Sequence, residues 1–75
     1  MPYKVDARGL SCPQPVVLAK KAVENTQEEV IEVLVDNAAA CENVSRFAKS
    51  AGCVVEVTPA DNDEYTVRIT RGPGA

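Results

Sequence analysis

Apolar residues first recur at every second position, in "YKVDA" (3–7), which predicts a short edge strand. After the turn "RGLSC" the period lengthens. Residues 13–25 read as a helix, with Pro15, Leu18, Ala19, Ala22 and Val23 on one arc of a projection at about 100° per residue. "VIEVLV" (30–35) is β-branched and apolar almost throughout, as in a strand buried in a sheet. In 36–52, Ala40, Val44, Phe47, Ala48 and Ala51 recur at helical spacing. Asp36 and Asn37 supply capping chemistry at the start of that segment, and Gly52 a C-cap signal at its end. "CVVEVTP" (53–59) and "EYTVRIT" (64–70) alternate again, and "ADND" between them is turn chemistry, so the two predict a hairpin.

The order is βαβαββ. Two helices suffice to cover one face of a four-stranded sheet, so the fold class is α/β: a two-layer sandwich with a mixed four-stranded sheet and both helices on one face. A chain of 75 residues is one domain with a single modest core. We place that domain at 1–70 and read 71–75, "RGPGA", as a flexible tail or a truncated linker, because it offers no apolar anchor.

Charge narrows the partners. With a net charge of −3 and no basic stripe interleaved with aromatics, nucleic acid is disfavoured. No apolar run approaches the roughly 20 residues of a membrane span. "MPYKVDARGL" lacks the form of a signal peptide, so a cytoplasmic location is expected. Three cysteines, Cys12, Cys41 and Cys53, with no CxxC, do not make a disulfide framework. Histidine is absent, which removes Cys–His dyads and Ser–His–Asp triads.

What remains is "CPQP". With Pro13 at N1 and Pro15 at N3, both prolines fall in the tolerated first turn of a helix. Cys12 then becomes the N-cap, where its sulfur faces the positive helix terminus and its thiolate is favoured. The prolines remove two first-turn donors, leaving the Gln14 N–H for the sulfur. The plain alternative is a small buried cysteine, but serine or aspartate would cap better. Val17, Lys20 and Lys21 form an exposed patch, read either as an ordinary solvated face or as a dock for an acidic partner. Arg8 either adds charge near the sulfur or is solvated. Cys41 and Cys53 read as structural, Asp36 and Asn37 as caps. The cysteine spacings do not suggest a zinc or other metal site, and no cofactor is indicated.

"DARGLSCPQPVVLAKKAVE", followed by "VDNAAACENVSRFAKSAG", resembles the TusA/SirA/YedF sulfur-carrier family, and its second half is most similar to the YedF branch. The resemblance spans about Tyr3 to Thr70. It implies a sulfur carrier, with selenium as a second cargo through the YedF branch. Cys12 would hold a persulfide, with Pro13 and Pro15 as the motif prolines. It implies a cysteine desulfurase or other sulfur or selenium donor and a downstream acceptor protein, DsrE-like in some relatives. A DsrE-like domain following "RGPGA" is also in keeping with it. At most this is a sulfurtransferase without a complete active site of its own. Two other readings stay open: a non-catalytic interaction or regulatory domain in which the CPxP turn only caps a helix, and an RNA-binding module, which the acidic balance disfavours.

Overall fold

A computed structural model describes residues 3–11 and 13–71. The elements are β1 (Tyr3–Asp6), α1 (Gln14–Asn25), β2 (Val30–Val35), α2 (Ala38–Ser50), β3 (Val54–Pro59) and β4 (Tyr65–Thr70). The sheet runs β1-β2-β4-β3. β1 lies parallel to β2, and β4 is antiparallel to both β2 and β3, so the sheet is mixed as expected. α1 is the crossover that parallel β1 and β2 require.

Alternation along the central strands decides which face is covered. Ile31, Val33 and Val35 on β2 are fully buried, and the register sets Ile31 opposite Ile69 and Val33 opposite Val67, both buried too. Against them pack Ala19 and Ala22 of α1 and Ala40, Val44 and Ala48 of α2. The small alanines face the sheet from both helices, and valine and isoleucine fill most of the space between. Of the positions expected to face the sheet, Pro15, Ala19, Ala22, Ala40, Val44 and Ala48 are buried, and Leu18, Val23 and Phe47 pack against the core. Ala51 does not: it stands at the C-cap of α2 and is exposed.

The helix ends follow their local chemistry. The Asn37 side chain accepts the Ala40 N–H at 2.7 Å, capping α2. At its other end Gly52 takes φ +84°, its N–H donates to the Lys49 carbonyl at 3.0 Å, and the Cys53 N–H donates to the Ala48 carbonyl at 3.0 Å. This pair of bonds is the Schellman arrangement. Asn62 and Asp63, both at positive φ, make the tight turn of the β3–β4 hairpin.

Hydrogen bonds of the fold extend past Thr70. Arg71, read above as tail, donates from its guanidinium to the carbonyls of Val23 and Thr26, each at 2.6 Å, and of Glu28 at 3.0 Å. Its backbone N–H donates to Glu29 at 3.0 Å. The anchor missing from "RGPGA" is thus polar rather than apolar. The rest of that segment, 72–75, lies outside the described residues.

Candidate functional site

Because β1 and β2 are parallel, both helices begin at the same end of the sheet. The β3–β4 turn lies there too, since Tyr65 pairs with Val35 at the end of β2. The CPxP motif is at this end, on the segment joining β1 to α1. Cys12 itself lies outside the described residues, and the N-cap position expected for it is taken by Pro13.

Pro13 occupies the N-cap position with φ −99° and ψ 17°, one residue later than expected, so Gln14 is N1 and Pro15 falls at N2. The Pro13 carbonyl accepts the Val17 N–H at 3.0 Å. The Gln14 N–H is not free: it donates to the Ser11 carbonyl at 2.8 Å, because the chain turns tightly into the helix. Pro15 is buried, while Pro13 and Gln14 are exposed.

The segment before the motif is fastened at two points. Ala7, almost wholly buried, donates its N–H to the Leu34 carbonyl at 2.8 Å and so prolongs the β1–β2 pairing. Gly9, at φ +76°, donates its N–H to Asp36 Oδ2 at 2.7 Å. Asp36 was read as a cap. Instead it ties the start of α2 to the turn preceding Cys12, and its other oxygen accepts from Asn37 Nδ2 at 3.1 Å. The sequence signal for this bond is weak, an acidic residue closing β2.

Arg8 is held rather than free. It bonds both carboxylate oxygens of Asp6, each at 3.0 Å, and approaches Glu64 of the hairpin at 3.5 Å. The hydrogen bonds from Arg8, side chain first and then backbone, lower the Asp6 pKa to about 2. The same partners push the guanidinium further above its usual range. Of the two readings of Arg8, charge near the sulfur or a solvated side chain, the geometry gives a third: its charge is largely answered by two carboxylates.

Val17, Lys20 and Lys21 are exposed on α1, as expected. Leu10 is exposed to the same extent as Val17, 37%, so an exposed apolar residue lies on each side of the motif in the chain. That pairing was not apparent from the helical projection, which did not include residue 10. Cys41 is buried, and burial pushes its thiol pKa up, with Glu42 adding and Ser45 opposing. Cys53 packs against the core at partial exposure. Both positions suit structural roles. Among the described residues no helix is long and apolar enough to cross a membrane.

This architecture is shared. A crystal structure of the SirA-like protein from Desulfitobacterium hafniense is similar with a TM-score of 0.85 and 37% identity, covering 95% of this chain and 99% of that one. A protein of Methanocaldococcus jannaschii named "Putative sulfur carrier protein MJ0990" is 36% identical over 69 residues, 91% of this chain and 92% of its own. One of Halobacterium salinarum, also named as a sulfur carrier of that kind, is 31% identical over 68 residues, 89% of this chain and 84% of its own. The family described as "Sulfurtransferase TusA" matches residues 3–71, a span that includes both the CPxP motif and Arg71. The chain belongs to the TusA/SirA-like sulfur-carrier family.

Proposed function

We propose that this protein is a sulfur carrier that holds its cargo as a persulfide on Cys12 and relays it between two partner proteins. The observation that carries the reading is the CPxP motif at the mouth of α1, in a chain whose relatives are named as sulfur carriers. The donor is a cysteine desulfurase or another protein bearing a persulfide. The Cys12 thiolate attacks the donor's terminal sulfur. A new S–S bond forms at Cys12, the donor's S–S bond breaks, and the donor leaves as a thiolate that takes up a proton. No net oxidation occurs. Release is the same step with an acceptor thiolate attacking the terminal sulfur on Cys12.

The helix terminus favours both the thiolate and the persulfide anion. The turn at residues 7–9 and the proline-started helix hold the chain on either side of the motif cysteine. Leu10, Val17, Lys20 and Lys21 would supply an apolar and basic dock for an acidic partner surface, with Arg8 too tightly paired to contribute much charge. The similarity of the second half to the YedF branch extends the cargo to selenium, and a DsrE-like protein is a candidate acceptor. A desulfurase partner would place the work in the cytoplasm.

Incubation with a desulfurase and cysteine, followed by intact-mass spectrometry, tests this. A gain of one sulfur that vanishes in Cys12→Ser is expected, and a selenium donor in the same assay reads the other cargo. With an active desulfurase and an active selenium donor, no gain on Cys12 from either would refute the carrier role. It would leave the interaction domain in which the motif only starts a helix.

A further inference from the structure

The helices cover one face of the sheet, and among the described residues nothing packs on the other. Its middle row has a distinctive pattern. Lys4 on β1 lies opposite Glu32 on β2, Glu32 opposite Arg68 on β4, and Arg68 opposite Glu56 on β3. Read across the sheet, the charges alternate plus, minus, plus, minus. Among the described residues none of these four makes a salt bridge or side-chain hydrogen bond, so all four charges remain available. Beside the row, half-buried Leu34 lines a shallow depression of about 320 Å³ together with Lys4, Asp6, Glu32 and Thr66. At the other end Val54 is 59% exposed next to Thr70 and Val30.

We propose that this face docks a second copy of the same chain, related by a two-fold axis running parallel to the strands between β2 and β4. Such an axis lays β1 over the partner's β3 and β2 over the partner's β4. Reversed, the row reads minus, plus, minus, plus. Lys4 then meets the partner's Glu56, and Glu32 meets the partner's Arg68, in all four positions. A two-fold axis across the strands would instead set Lys4 over the partner's Lys4 and Glu32 over the partner's Glu32, and like charges would repel. The row therefore selects one isologous arrangement of the two a face-to-face pair could adopt. Sheets stacked in this way pack about 10 Å apart, within reach of long charged side chains.

The size of the face sets the strength. Four strands about 4.8 Å apart and six residues of about 3.3 Å each make a patch of roughly 400 Å². That is about half of the roughly 800 Å² per partner in a standard stable interface. The dimer is consequently weak, concentration-dependent and sensitive to salt, and the helix face and the CPxP motif stay free in it. This inference does not depend on the role of Cys12.

Sedimentation equilibrium up to about 1 mM protein, in low and in high salt, tests the proposal, with Glu32→Arg and Arg68→Glu examined singly and mixed. Wild type should self-associate in low salt and dissociate in high salt. Each variant alone places like charges over each other and should stay monomeric. Mixed one to one, the two rows become complementary at all four positions, and association should return to at least the wild-type level. If either variant fails to fold by far-UV circular dichroism, Lys4→Glu and Glu56→Lys on the edge strands obey the same logic. A monomeric wild type, a single variant that associates like wild type, or a mixture that stays monomeric while wild type dimerises would each overturn the proposal.

Discussion

Replacing Arg71 should unfold the far end of the sandwich from the CPxP motif. α1 carries no basic residue in its last turn, and its C-cap Thr26 is extended. The carbonyls left at that end are met by a guanidinium arriving from β4. Arg71 donates to Val23 and Thr26 at 2.6 Å each and to Glu28 at 3.0 Å. A hydrogen bond from a charged donor contributes about 1.5–3 kcal/mol when sheltered. These carbonyls are only partly sheltered, and water would recover part of each bond, so three bonds reduce to about 2–3 kcal/mol in total. For a domain of this size that lowers Tm by roughly 10–20 °C. Urea titration of Arg71→Ala followed by far-UV circular dichroism reads the loss. Arg71→Met keeps most of the aliphatic stem and should lose nearly as much, which separates hydrogen bonding from packing. Arg71→Lys keeps the charge near the helix C-terminus but cannot reach three carbonyls with a planar fork, and should recover less than half. A loss below about 0.5 kcal/mol in Arg71→Ala, the range of ordinary surface changes, would refute the capping role.

Other outcomes follow from the same geometry. Gly52→Ala meets nothing within 4 Å, so its cost is purely that of φ +84°, about 1–2 kcal/mol by denaturation, and Gly52→Asn should cost less. Asn37→Ala removes the bonds to the Ala40 N–H and to Asp36 and should cost about 1 kcal/mol, while Asn37→Asp keeps the cap but sets a carboxylate against that of Asp36 and should recover only part of the loss. The Asp6 carboxyl should titrate near pH 2 by NMR and return toward its ordinary value of 3.8 in Arg8→Ala. Since its folded pKa is depressed, whatever stability it contributes is present above its unfolded pKa and lost as pH falls through the folded value.

The strands and helices were legible because their signals are short-range. Six consecutive residues define β2, and two bonds between Ala48 and Cys53 define the end of α2 at Gly52. The register of α1 was one residue early because a proline fits N-cap and N1 alike, and only the Ser11–Gln14 turn distinguishes them. What escaped the sequence is polar and long-range. Asp36 lies 27 residues from Gly9, Arg8 lies 56 from Glu64, and Arg71 lies 48 from Val23. Each of these charged groups had several partners of equal merit in a chain with 11 acidic and 8 basic residues. The choice between them is made by topology: parallel β1 and β2 bring Asp36 beside Gly9, and the hairpin brings Glu64 beside Arg8.

Those long-range bonds also divide the labour within the fold. The core is built mainly from valine, isoleucine and alanine and contains no buried polar or charged side chain among the described residues, so packing fixes the sheet and both helices without help from charge. Polar bonds are spent at the two ends. At one end Arg71 closes α1. At the other, the Ala7 N–H donates to Leu34 of β2 and the Gly9 N–H to Asp36 of the β2–α2 connection, so the segment entering the CPxP motif is anchored to the sheet and to the loop that leads into α2. Loosening Asp36 should therefore alter the behaviour of the motif far more than the stability of the core. In Asp36→Ala, hydrogen exchange at the Gly9 amide should quicken strongly while amides of β2 and β4 keep their protection. A uniform loss across all three would show that the turn is no separate unit and that the carboxylate serves only global folding.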